Sequence, residues 1–156
     1  SNLSYKLSQI REALCLAHSF LDNDAAGLKA FEKATGDGLL TIADVHFSVC
    51  DGLKEAEMED LYDENLYSAM LQNKYGVSTL SPKFKGSAKW SDRLREAFKH
   101  QAKPWSDQIE ARVKADVAEL VENNTQTALN GHRKSCIDAL AGALESKLVT
   151  IAAGKK

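Results

Sequence analysis

Asp22 and Asp24 stand two residues apart in Leu21-Asp22-Asn23-Asp24-Ala25-Ala26-Gly27, where a short apolar run gives way to a helical pattern. Two carboxylates so spaced at the carboxyl end of a strand can approach one hard cation, which prefers oxygen ligands. Gly27 would let the following helix pack close. An EF-hand loop is excluded, because its fifth position would be Ala26 and its twelfth Lys33, and neither is a ligand. The competing reading has Asp24 capping the helix and Asp22 simply exposed.

A second acidic element is Glu55-Ala56-Glu57-Met58-Glu59-Asp60-Leu61-Tyr62. Such runs usually form a solvated helical face, although a bound cation would relieve the repulsion among the carboxylates. The third element is basic: Lys83-Phe84-Lys85-Gly86-Ser87-Ala88-Lys89-Trp90, continuing to Arg93, Arg95, Lys99 and Lys103. Cations interleaved with aromatics pair with phosphates and stack on bases. The alternative is an ordinary basic surface with Phe84, Trp90 and Phe98 in a core. His18 and His46 fall in strand-like runs and read as packed, and His100 and His132 as surface residues. No Ser/His/Asp or Cys/His arrangement and no Gly-rich phosphate loop can be read from the spacing.

The elements that must position these residues follow from periodicity. Leu3, Leu7, Ile10 and Leu14 recur at helical spacing, and the apolar run from Leu16 to Leu21 reads as a buried strand. Leu28, Phe31 and Ala34 mark a helix that stops at Gly36-Asp37-Gly38. Residues 39–49, rich in β-branched types, read as a second strand, with helices near 54–63 and 65–74. This alternation predicts parallel pairing. Two strands make a poor sheet alone, which points to further sheet outside this sequence.

Residues 76–90 read as a loop or a short third strand. Ser91 is expected to cap a helix running to about Lys103, Pro104 to break it, and Ser106 to cap the next. Ile109, Val113, Val117 and Leu120 line that helix, and Ile137, Leu140, Leu144, Leu148 and Ile151 the last one. The two are expected to pair as a hairpin.

The 156 residues, 44% hydrophobic and 27% charged, suit one ordinary domain or a small domain with an appendage. No apolar run approaches the roughly 20 residues needed to span a bilayer, and no secretion signal is present. Ser1-Asn2 reads as a tag remnant, and the chain as a soluble, cytoplasmic fragment. Cys15, Cys50 and Cys136 are too scattered for a zinc or disulfide framework and read as small buried hydrophobes. The net charge of −2 conceals an asymmetry: residues 1–80 carry 6 Lys/Arg against 13 Asp/Glu, and residues 81–156 carry 14 against 9. An acidic half can concentrate divalent cations while a basic half attracts a polyanion, or the two halves can simply attract each other.

A strand ending in Asp-x-Asp-x-x-Gly, then a helix, a strand and the Glu59-Asp60-Leu61 element, resembles the TOPRIM fold. Within it, the pattern is most similar to nucleases of the overcoming-lysogenization-defect (OLD) family. The resemblance covers roughly residues 3–90. It implies an α/β fold with a partial TOPRIM-like (Rossmann-like) parallel sheet and flanking helices over residues 1–90. An α-helical C-terminal region follows over residues 91–156.

The resemblance also implies a Mg²⁺-dependent DNA endonuclease or nickase, with Mn²⁺ as substitute metal, using one or two ions. Asp22, Asp24, Glu59 and Asp60 would be metal ligands, with Glu55 as the alternative. Asp22, Asp24 and Lys89 would be catalytic, and Lys83, Lys85, Lys89 and Arg93 would hold nucleic acid. The implied partners are DNA, an upstream ATPase domain of the same polypeptide and a second copy of the chain, with no membrane, in phage defence. One departure is that the family's opening Glu and Gly-rich turn have no counterpart, since Glu12 lies in a helical pattern. The chain by itself is therefore expected to be nearly inactive. The opposing expectation is a non-catalytic, TOPRIM-derived interaction or dimerisation module. A topoisomerase or primase relationship ranks below both, since no topoisomerase tyrosine loop is found.

Overall fold

The computed structural model describes residues 2–12 and 17–154, so the expectations for Leu14, Cys15 and Leu16 lie outside the described residues. In chain order the helices and strands are α1 (Leu3–Glu12), β1 (Ser19–Asp22), α2 (Ala25–Gly36), β2 (Val45–Ser48), α3 (Glu64–Met70), α4 (Trp90–His100), α5 (Asp107–Asn123) and α6 (Ser135–Gly154). The chain is mixed α/β. It divides into two compact units, Ser1–Ser48 with Ser135–Lys156, and Val49–Lys134. The division expected near residue 90 falls inside the second unit.

In the first unit β1 and β2 pair in parallel, with Ser19 opposite Val45 and Asp22 opposite Ser48. The connection between them is α2, as the alternation of helix and strand predicts. Leu7, Ala34 and Leu40 form its small buried cluster, and Phe31 meets Phe47 edge to face at 5.7 Å between centroids. The second strand is shorter than the apolar run from which it is read. Thr41 and Asp44 close a capping box around the 3-10 turn Ile42–Asp44, the Thr41 hydroxyl donating to Asp44 Oδ2 at 2.6 Å. Such local side-chain bonding competes with the strand ladder, so β2 begins only at Val45.

The second unit is built around Tyr67, Leu71, Val77, Phe84, Trp90, Leu94, Ala97, Phe98, Val113 and Val117, all buried. Burying each of the large side chains contributes about 1.5–3 kcal/mol. The helix expected over 54–63 does not form. Its only helical part is the 3-10 turn Met58–Leu61, tied by Asp60 Oδ2 accepting the Glu57 N–H at 2.9 Å. The end of α3 widens into a π-helical turn, Leu71–Tyr75, that stops at Gly76 with φ +66°.

Residues 76–89 form turns and no third strand. Lys89, not Ser91, occupies the N-cap of α4, and that helix ends at His100, short of Lys103. Ser106 does cap α5, accepting from the Ile109 N–H at 3.3 Å. Of the two long helices expected to form a hairpin, α5 packs on α3 within the second unit and α6 on β2 within the first.

Candidate functional site

Asp22 closes β1 and is half-buried. Asp24, 6% exposed, is the N-cap of α2 and accepts the Gly27 N–H on Oδ1 at 2.8 Å. Between them the Asn23 N–H donates to Ser48 Oγ at 3.1 Å, fastening the turn to the end of β2. A Cβ on Gly27 would come 1.9 Å from the Asp22 carbonyl oxygen, so only glycine allows α2 to approach the strand this closely. Asp24 thus caps its helix, and both aspartates occupy one turn at the carboxyl edge of a parallel strand. That edge is where open α/β sheets place their ligands.

The downstream acids behave differently. Glu57 and Asp60, both buried, receive the first backbone donors of α4. Asp60 Oδ2 accepts from the Trp90 N–H at 3.0 Å. Glu57 accepts from the Ser91 N–H at 2.8 Å and from the Ser91 hydroxyl at 2.9 Å. Two orphan donors and the positive end of a helix are thereby satisfied by carboxylates supplied from elsewhere in the chain. Asp60 Oδ1 pairs with Arg93 Nη2. Both oxygens of Asp60 therefore already face protein donors, and the ligand role implied for it meets a carboxylate with a structural task. Burial pushes the Glu57 carboxyl up, but the Ser91 donors together with Lys114 and Lys89 outweigh it and hold it below the usual range.

Arg93, expected to hold nucleic acid, is buried and turned inward. Its Nε donates to the Ala88 carbonyl at 2.8 Å and its Nη1 to the Phe84 carbonyl at 2.9 Å. Its guanidinium also lies 5.1 Å from the Phe84 ring centroid, so it pins the 84–88 loop to α4. Lys89 Nζ lies 3.3 Å from Glu57 Oε1. Lys114 joins the same group, 3.5 Å from Glu57 Oε1, 3.6 Å from Glu59 Oε2 and 3.9 Å from Glu110 Oε1. Lys85 pairs with Glu64 at 2.7 Å, and Lys83 is exposed. An open cleft of about 460 Å³ is lined by Lys54, Glu55, Ser87, Ala88, Lys89 and Asp92, and so brings Lys89 and Glu55 to one surface. Phe84, Trp90 and Phe98 are core residues, as the plainer reading of the aromatic–basic element has it.

No family model, curated protein or solved structure matches the chain.

Among the described residues, no group of three or more His, Cys, Asp or Glu side chains is arranged to hold a metal ion. The donors at the β1 edge are nonetheless of one kind, two carboxylates with hard oxygens and no imidazole or thiolate. That chemistry fits Mg²⁺ or Mn²⁺, which keep several waters beside one or two carboxylates. Among the described residues no helix is long and apolar enough to cross a membrane.

A further cluster in the first unit escaped the reading by spacing. Lys147 Nζ of α6 lies 2.7 Å from Asp44 Oδ1 and 3.0 Å from His18 Nδ1, and His18 Nε2 lies 2.8 Å from His46 Nδ1. An ammonium only donates, so His18 Nδ1 accepts, and the His18 Nε2–H donates to His46 Nδ1. Burial and then Lys147 and His46 hold the His18 pKa below its ordinary value. The Lys147 and Thr41 bonds lower Asp44 to about 2. His18 and His46 are thus packed against each other. Nothing in their sequence positions reveals Lys147, which comes from 129 residues away. Lys114 had a weak sequence signal, standing four residues after Glu110 on α5.

Proposed function

We propose that this chain is the cation-binding part of a Mg²⁺-dependent DNA endonuclease or nickase, TOPRIM-like in fold and related to the OLD family. In the larger protein it would act with an ATPase domain in phage defence. The reading rests chiefly on one observation. Asp22 and Asp24 share a turn at the carboxyl end of a parallel strand, and Gly27 seats the next helix against the Asp22 carbonyl. A bound divalent ion would supply acidification of a water and neutralisation of charge on the scissile phosphate. Asp22 and Asp24 would hold that ion. Lys89, on the rim of the open cleft, and the exposed Lys83 would attract and orient the phosphodiester backbone by charge. Asp60 and Arg93 would support that surface from beneath, fixing the start of α4 and the loop before it.

The test is plasmid nicking by a longer polypeptide that carries this chain behind an opening TOPRIM glutamate, in Mg²⁺ and in Mn²⁺. Nicking that is abolished by Asp22→Asn supports the reading. Metal-independent nicking, or none with metal bound, removes it.

A second reading, a non-catalytic TOPRIM-derived interaction or dimerisation module, is favoured by a different observation. Glu57, Asp60 and Arg93 are all committed to contacts inside the second unit. It gains if the longer polypeptide binds no divalent ion yet self-associates.

A further inference from the structure

The second unit holds a polar cavity of about 170 Å³, whose walls include Tyr62, Tyr67, Lys85, Asn130 and Arg133 together with Glu64. This is the volume of roughly five or six waters, enough for a tetrahedral oxyanion. Three cationic side chains line it, Lys85, Arg93 and Arg133, against the single carboxylate of Glu64. The Arg93 charge is met by Asp60, which leaves Lys85 and Arg133 facing Glu64. The Arg133 guanidinium is positioned but lightly engaged. Its backbone N–H donates to the Asn130 carbonyl at 3.0 Å, and its Nη1 reaches the Asp60 carbonyl only at 3.3 Å.

Tyr67 supplies an independent indication. It is 3% exposed, and its hydroxyl oxygen accepts from Trp90 Nε1 at 3.2 Å. Trp90 Nε1 only donates to this hydroxyl, so the phenol O–H is itself available as a donor toward the cavity it lines. Burial pushes this phenol well above its ordinary value, which keeps it a donor. A guanidinium, an ammonium and a phenol O–H around a small polar cavity form a donor set for a phosphate group. Glu64 holds Lys85 at 2.7 and 2.8 Å across a half-exposed surface, a pair that a more highly charged anion can exchange.

We propose that this cavity is a phosphate-binding site, with Arg133, Lys85 and Tyr67 as the donors. It stands apart from the cation reading of Asp22 and Asp24, which lie in the other unit, and holds whether or not they bind a metal.

The test is titration of the full chain, without divalent metal, with inorganic phosphate against chloride of equal ionic strength. The Arg133 and Lys85 side-chain signals are followed, and in a parallel arm the titrant is a short single-stranded oligonucleotide. Saturable, phosphate-specific shifts that weaken about tenfold or more in Arg133→Gln are expected. Tyr67→Phe, checked for native unfolding behaviour, should weaken binding as well. Binding of free phosphate alone assigns the site to a small phosphorylated ligand or to phosphate itself. Binding of the oligonucleotide with the same loss in Arg133→Gln assigns it to a nucleic-acid backbone. Shifts no larger than those in chloride in both arms, or affinity unchanged by Arg133→Gln, would overturn the proposal.

Discussion

Asp60 accepts the backbone N–H of Trp90 at 3.0 Å while its other oxygen pairs with Arg93, one turn further along the same helix. One buried carboxylate thus caps α4 and neutralises the guanidinium that ties down the loop at 84–88. Removing either partner strands the other in the core. Asp60→Ala should cost about 3–5 kcal/mol in urea unfolding, as breaking a buried pair from one side does. The double substitution Asp60→Leu/Arg93→Met should recover part of that loss, because no unpaired charge remains. A single-substitution cost below about 1 kcal/mol would show that the pair is not desolvated in solution.

Glu57 links stability to pH. Its folded carboxyl is held below the ordinary value of 4.5 despite burial, so the unfolded chain binds its proton first as pH falls. The stabilisation is full above 4.5 and is lost as pH falls through the lower folded value. Glu57→Gln should flatten the acid limb of the unfolding free energy and lower stability at neutral pH. An acid limb of unchanged slope in that variant would assign the effect to other carboxylates.

His18 acts at higher pH. Its folded pKa lies below 6.5, first through burial and then through Lys147 and His46, with Asp44 working against them. Below 6.5 the unfolded state takes up the proton more readily, so this contribution is present above 6.5 and is lost as pH falls through the folded value. Lys147→Met removes one repelling charge and should move the His18 resonance midpoint upward in a pH titration. The same substitution should raise Asp44 from about 2, because its main stabilising bond is gone.

Two glycines on helices should respond in opposite directions. Gly27→Ala places a methyl group 1.9 Å from the Asp22 carbonyl oxygen, and its cost should reach or exceed the roughly 1–3 kcal/mol of ordinary overpacking. Gly142, inside α6, has nothing within 4 Å of an added Cβ. Gly142→Ala should stabilise by about 0.5–1 kcal/mol in thermal or chemical unfolding.

Much of the first unit was legible because its signals are local. The apolar run before Asp22, the helical spacing of Leu28, Phe31 and Ala34, and the stop at Gly36-Asp37-Gly38 led to a strand, a helix and a parallel partner. The second unit was less so. A reader of Glu55–Tyr62 sees helix-forming acids, and only the distant Trp90, Ser91 and Arg93 reveal that two of them are caps. Ser91 looked like a cap for the same reason. Serine is a good N-cap, but here Glu57 does that work from 34 residues away. What α5 and α6 each pack against was equally hidden, since both carry an apolar stripe and periodicity does not say what covers it.

The most direct test of the cation reading is a Mn²⁺ titration of the isotope-labelled chain, followed by paramagnetic broadening of backbone amides. The variant Asp22→Asn/Asp24→Asn suits the control, because asparagine still caps a helix and both changes keep side-chain shape. The reading predicts broadening centred on residues Asp22–Gly27 at the lowest metal concentrations, and its loss in the double variant. Broadening spread evenly over all exposed acidic residues, and unchanged in that variant, would contradict it and leave Asp22 and Asp24 as parts of a turn alone.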